Sequence, residues 1–328
     1  MKRLLILALI IGLFTTSCKD DETVDANAFN TLSEYLETNS MDVGDILSYH
    51  GTTDVKFVAA PPVEEDLSSF TSTYHIIDIR NTTDFEAGHI AGAVNVPPVG
   101  TDLSGVLTEA ANAGSKRILV VCYTGQTACY TTALLRLAGY SDTQALKWGM
   151  SGWNSEFDKW TGGIGNAAET SANWKYDAAP ANQLYDFPDL NINLTDGAAI
   201  LEARVEEVLK AGFKGVSASD VLGSPSDFFV NNYFSDADYT GFGHVSGAYR
   251  INPLTLTGGE MANLNPSEQI VTYCYTGQTS AVVTAYLRVL GYDAYSLKFG
   301  MNGLYNSNSA WASNQWGGDS NPKNLSYE

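Results

Sequence analysis

Apolar residues recur in two patterns along this chain, as short unbroken runs and as longer stretches with helical spacing. The runs Tyr74–Ile79 and Ile118–Val121 are bounded by loop residues and predict buried strands. A helical pattern follows the second run: Cys129, Ala133, Leu134 and Leu137 share one face, and Gly139 stands where a C-terminal cap belongs. The same succession returns later, with Ala281, Ala285, Tyr286 and Val289 on the face and Gly291 at the end. Two further helical stretches, "FNTLSEYLET" and "AILEARVEEVLKAG", precede the two cores and lead into the similar phrases "DVGDIL" and "SASDVL". Strands alternating with helices predict an α/β fold with a mainly parallel sheet flanked by helices.

The return is an internal repeat, and its unit is a whole domain. "ILVVCYTGQTACYTTALLRLAGY" (118–140) aligns without a gap with "IVTYCYTGQTSAVVTAYLRVLGY" (270–292). Upstream, "EAGHIAGAVNVP" answers "GFGHVSGAYRINP"; downstream, "LKWGMSGWN" answers "LKFGMNGLYN". With 328 residues, each copy is long enough to close its own core. Residues 161–190 are rich in Gly, Ala, Asn and Pro without a sustained period and read as a linker. The expected domains are therefore 29–160 and 191–328.

Residues 1–18 read as a secretory leader. The basic start and the apolar run Leu4–Phe14 are too short to cross a bilayer, which takes about 20 helical residues. The ending Thr-Thr-Ser-Cys resembles the cleavage box of bacterial lipoproteins, which implies lipidation of Cys18, a flexible tether over 19–28 and a location in the cell envelope on the lipid anchor. The acidic "KDDE" after Cys18 resembles a signal for export to the outer surface, and equally suits a solvated tether. The balance of 18 Lys plus Arg against 37 Asp plus Glu, a formal charge of -19, disfavours nucleic acid as a partner.

Of the four cysteines, two head identical hexapeptides, "CYTGQT", at Cys122 and Cys274. With Cys18 set aside the remaining number is odd, so no disulfide framework is expected. A strand that delivers a cysteine into a Gly-containing loop, followed at once by a helix, places the sulfur where backbone N–H groups and the positive helix end converge. That field favours thiolate, drawing the pKa from about 8.5 towards neutrality or below, and makes a nucleophile. Gly125 and Gly277 let the loop turn back with positive φ, and Thr127 and Thr279 are candidates to add a hydroxyl or cap the helix. The bland alternative is a buried strand-end cysteine beside an ordinary turn. Against it, "TACYTTALLR" and "TSAVVTAYLR" have drifted while Tyr123, Thr124, Gly125, Gln126 and Thr127 match Tyr275, Thr276, Gly277, Gln278 and Thr279.

"DIRNTTDFEAGHIAGAVNVP", the "CYTGQT" loop and "LRLAGY…LKWGMSGWN" resemble a rhodanese domain, over about 72–160 and again over 226–307. The resemblance implies two rhodanese-like domains in tandem. It also implies a sulfurtransferase whose loop cysteine takes a sulfane sulfur from thiosulfate or a persulfide and passes it to a thiol or cyanide, with no cofactor. Phosphatases of similar fold close a longer loop with Arg six positions after Cys; here Ala128 and Ser280 stand there, so phosphoryl chemistry lacks its fork of donors. Asp78 and Arg80 resemble the family's Asp-x-Arg signature, either as a structural ion pair or in a direct catalytic role. The second copy has Asn232 and Phe234 instead, which makes Cys122 the expected stronger site, although many two-domain members keep activity in the C-terminal domain. His89 and His244 are expected to stabilise turns, Cys129 to pack the core in preference to resolving a persulfide, and Trp148 and Phe299 to pack the repeat. Two other classes compete: a module that captures a sulfur anion or carries persulfide without free turnover, and an inactive surface scaffold. The histidines His50, His75, His89 and His244 show no ligand spacing with the cysteines, so no metal site is expected.

Overall fold

β-Branched and aromatic side chains turn the apolar runs into strands because a sheet covered on both faces buries them. The computed structural model describes residues 28–48 and 56–328; the leader with Cys18, the tether through residue 27, and His50 lie outside the described residues. The first unit is built on five parallel strands: β1 (Val58–Ala59), β2 (Tyr74–Asp78), β3 (Val94–Asn95), β4 (Arg117–Val121) and β5 (Gln144–Leu146), in spatial order β1-β5-β4-β2-β3. A short strand β6 (Trp174–Lys175) lies between the units. The second unit contains β7 (Gly215–Val216), β8 (Phe229–Asn232), β9 (His244–Val245), β10 (Ile270–Tyr273) and β11 (Ala294–Leu297). Its parallel sheet runs β7-β11-β10-β8, the order of the first unit, and a parallel bridge from Asn231 to Tyr249 stands in for β3. Register places Asp78 beside Val121 and Asn232 beside Tyr273, so both cysteines leave their sheets at equivalent points.

The helices after these strands, Gln126–Leu137 and Gln278–Val289, pack against each other at the junction of the units. The sequence predicts one buried face on each. In the fold only Thr127 of the first helix escapes burial, because its own sheet covers one side and the facing unit covers the other. The helices Ala28–Thr38 and Gly197–Ala211 also pack on one another and complete this shared core. Among the described residues no helix is long and apolar enough to cross a membrane.

Two stretches cross the boundary between the units. The segment read as a linker builds into the second unit: Ala168 and Trp174 enter its core, and β6 pairs antiparallel with β9. The chain end packs on the first unit, where Leu325 is buried with Met150 and Trp153 and the Trp153 indole N–H donates to the Ser326 carbonyl at 2.9 Å. His89 and Glu328 exchange backbone hydrogen bonds of 2.7 and 3.0 Å.

Candidate active site

β4 ends at Val121, and the chain turns through Gly125, at φ +82°, into the helix that starts at Gln126. This turn aims the N–H groups of Gly125 and Ala128 at Cys122 Sγ, at 3.2 and 3.3 Å. In the second loop Gly277 has φ +73°, the Ser280 N–H donates to Cys274 Sγ at 3.3 Å, and the Cys274 thiol donates to the Ser280 hydroxyl at 3.6 Å. That hydroxyl is itself bonded to the Ser296 hydroxyl at 2.8 Å. Inward amides and a helix N-terminus stabilise negative charge on sulfur. Burial opposes them: Cys122 is 3% exposed and Cys274 2%. Burial pushes the Cys122 thiol above its ordinary value although Ala128, Thr124 and Gly125 donate backbone hydrogen bonds, and the Asp78 carboxylate adds to the rise. At Cys122 the direction is opposite to the expected drift towards neutrality, because in this closed arrangement desolvation penalises its thiolate more than the amides favour it.

Behind the first loop lies a buried ion pair. Arg80 Nε donates to both Asp78 carboxylate oxygens at 3.1 and 3.0 Å, and its Nη2 donates to Asp78 Oδ2 at 2.7 Å and the Gly88 carbonyl at 2.8 Å. The guanidinium lies 6.0 Å from the Tyr123 ring centroid, so the pair braces the residue next to Cys122. In the second unit Asn232 Oδ1 accepts the Phe234 N–H at 2.9 Å, just as Asp78 accepts the Arg80 N–H at 2.9 Å. The turn survives without charge: Asn232 Nδ2 donates to the Tyr273 hydroxyl at 2.7 Å, and Phe234 stacks on Tyr275 at 4.4 Å.

Each loop tyrosine is tied to a carboxylate, Tyr123 to Asp84 at 2.6 Å and Tyr275 to Asp238 at 2.5 Å. Burial and the Asp84 charge push the Tyr123 hydroxyl up to about 12, while that hydroxyl holds Asp84 below the usual carboxylate range.

The two loops face each other. Gln126 Oε1 accepts the Phe299 N–H at 2.7 Å, and Gln278 Nε2 donates to the Thr124 carbonyl at 3.1 Å. The same carbonyl accepts the Trp160 indole N–H at 3.1 Å. Trp148, Trp160, Trp316 and Phe299 form an aromatic cluster beside the paired loops, with Trp160 fully buried against the other three.

A model of the rhodanese-like domain matches residues 64–156 and 233–307. The chain belongs to the rhodanese-like domain family. Among curated proteins it is similar to the uncharacterized protein YibN of Escherichia coli K12, 32% identical over 81 residues that cover 25% of this chain and 56% of that protein. The chain thus spans about half the length of the curated relatives it matches. Solved structures similar to it include a thiosulfate sulfurtransferase from Pseudomonas aeruginosa, with 16% identity, 88% of this chain, 49% of that chain and a TM-score of 0.28. Another is a 3-mercaptopyruvate sulfurtransferase from Leishmania major, with 11% identity, 76% of this chain, 73% of that chain and a TM-score of 0.28.

In both rhodanese-like units the hexapeptide runs from the strand end, through a glycine at positive φ, into the helix. Thr127 and Thr279 cap nothing: the helices begin earlier, at Gln126 and Gln278, with the glycines at the cap position. Cys129 sits fully buried in the shared core, where burial pushes its thiol far up. His89 and His244 close their turns through Nδ1 contacts to the Phe85 and Tyr239 carbonyls and stack on those same rings. Trp148 and Phe299 hold equivalent places, both at positive φ, at the start of the next helix. Sequence reasoning missed Asp84 and Asp238. Their signal is an acid followed by the aromatic that stacks on the histidine, Asp84-Phe85 and Asp238-Tyr239. Among the described residues no cluster of His, Cys, Asp and Glu is arranged to hold a metal.

Proposed function

We propose that this rhodanese-like protein moves a sulfane sulfur from thiosulfate or a persulfide to a thiol or cyanide, in the cell envelope on a lipid anchor at Cys18. The observation that carries this reading is the pair of amide N–H groups aimed at Cys122 Sγ from Gly125 and Ala128. In the proposed cycle the thiolate attacks the outer sulfur of thiosulfate, the S–S bond breaks, and sulfite leaves with the bonding electrons. The amides that hold the thiolate then hold the cysteine persulfide anion. Cyanide or a thiolate attacks its terminal sulfur and regenerates the cysteine thiolate, so charge and sulfur balance over the cycle.

Cys122 is the proposed stronger site, because Asp78 and Arg80 brace its loop while Asn232 and Phe234 leave the second loop without that charge pair. The burial of both thiols favours a second reading, in which the loops capture a sulfur anion or carry persulfide without free turnover. Thiosulfate treatment followed by intact-mass measurement separates the two. A gain of about 32 Da, one sulfur atom, on Cys122 or Cys274 supports chemistry; tight binding without an adduct supports capture. Cyanide-dependent turnover is expected to fall more in Cys122→Ser than in Cys274→Ser, and the reverse result overturns the ranking.

A further inference from the structure

Each cysteine sits in a cup made by its loop and the first turn of the following helix, and the two cups differ in one set of side chains. In the second, Cys274 Sγ lies 3.6 Å from the Ser280 hydroxyl, which lies 2.8 Å from the Ser296 hydroxyl. Ser296 in turn donates to the Gly277 carbonyl at 3.4 Å, so a file of hydroxyls runs from the sulfur back to its own loop. In the first cup Ala128 takes the place of Ser280. Sheet register gives the second match: Ala145 pairs with Val120 as Ser296 pairs with Thr272, so Ala145 takes the place of Ser296. Thr272 is itself a hydroxyl where the first copy has Val120, and it is buried without a partner.

Packing does not account for this set. Ala128 and Ala145 are fully buried, so the same fold closes with no hydroxyl at either place, and taking a hydroxyl out of water is costly unless a hydrogen bond replaces the lost ones. What the hydroxyls offer is reversibility. A serine O–H rotates and either accepts or donates, so Ser280 accepts from the neutral Cys274 thiol and turns to donate once the thiol has given its proton to bulk water, with no heavy atom moving. We propose that Ser280, positioned by Ser296, is a hydrogen-bond donor to the Cys274 thiolate, a contact with the reacting sulfur that the first cup lacks. The titratable groups that act on Cys274 are Tyr275 on its own loop, Tyr233 beyond β8 and Cys129 on the facing helix Gln126–Leu137. Burial pushes all three up, Tyr233 to about 12, and leaves them neutral near pH 7. Asp238 stands behind Tyr275, and Asp42 and Glu260 act on Tyr233; where Asp78 acts on Cys122, the second unit has neutral Asn232. The use of the donor in sulfur transfer rests on the sulfurtransferase reading: when an acceptor takes the outer sulfur of a Cys274 persulfide, the S–S bond breaks, its electron pair returns to Cys274 Sγ, and Ser280 meets the charge that forms there. The contact with the thiolate does not rest on that reading.

The test follows the ultraviolet absorbance of thiolate against pH in the full chain carrying Cys18→Ser and Cys122→Ser, where Cys274 gives the signal because burial holds Cys129 far up. Ser280→Ala copies the first cup and is expected to raise the midpoint by about one pH unit, roughly tenfold less thiolate at a fixed pH below it. Ser280→Thr keeps the hydroxyl and should keep the parent's midpoint. Ser296→Ala leaves Ser280 in place and is the second variant should Ser280→Ala fail to fold; it is expected to move the midpoint the same way by less. A midpoint unmoved in the folded alanine variants, or moved as far by Ser280→Thr, overturns the proposal. Failure of the sulfurtransferase reading looks different: the protein with its cysteines intact gains no sulfur, while the midpoint still follows Ser280.

Discussion

Gln126 and Gln278, equivalent residues of the two copies, each leave their own loop to bond the backbone of the other unit. Each also fills the space where a side chain on the facing glycine would lie: a Cβ on Gly125 would meet Gln278 Nε2 at 2.3 Å, and one on Gly277 would meet Gln126 Oε1 at 2.4 Å. The glycines are therefore required twice, for positive φ and for the approach of the opposite glutamine. This reciprocity supplies a packing reason for two identical hexapeptides, beside the chemical one.

Removing either glutamine is expected to loosen the closed pair. Gln126→Ala leaves the Phe299 N–H without its acceptor, at a cost of about 1–3 kcal/mol, whereas Gln278→Ala leaves the Thr124 carbonyl its Trp160 donor and is expected to cost about 0.5–1.5 kcal/mol. Gln278→Ala should speed thiol labelling at Cys122, and Gln126→Ala at Cys274. Peptide-resolved labelling rates check this; rates equal to the parent's would show that the glutamines do not control access.

The buried pair Asp78–Arg80 should be far more sensitive to losing one member than to losing both. Arg80→Ala strands a carboxylate in the core and is expected to cost about 3–5 kcal/mol. The combined change Asp78→Asn with Arg80→Phe copies the neutral arrangement of the second unit and should cost less. Urea unfolding of the variants decides the order.

With its thiol held above the ordinary value by burial, Cys122 carries little thiolate near neutral pH in the closed form. Deprotonation gives the reactive species, so the labelling rate should rise with pH, and it should show no plateau below about pH 8.5, the ordinary thiol value. A plateau near neutrality in iodoacetamide kinetics would mean that the amides outweigh desolvation.

The chain end should stabilise the first unit at a distance in sequence. Leu325 is buried against Trp153, so Leu325→Ala is expected to cost about 2–5 kcal/mol. Trp153 fluorescence followed through denaturation measures it, and an unchanged midpoint would show that the tail contributes little.

Strand runs, helix ends, the strand–loop–helix order around each cysteine and the lack of a closing arginine were legible in the sequence, because each depends on neighbours a few residues apart. The helix starts at Gln126 and Gln278 came two residues earlier than the pattern suggests. Gly125 signals its own φ, and the unbroken run before Cys122 signals a buried strand. The direction in which the cups face was not legible. Gln126 reads as a loop residue until the unit carrying Phe299 docks on it, and Lys147 reads like Lys298 until docking encloses one and leaves the other in solvent. Helix faces that looked half-exposed became wholly buried for the same reason, and the tail around Leu325 found a core belonging to the other copy. Local pattern sets backbone conformation and which side chains avoid water. Only the packing of two similar units, in contacts spanning about half the chain, decided what covers the sulfur and which charges meet it.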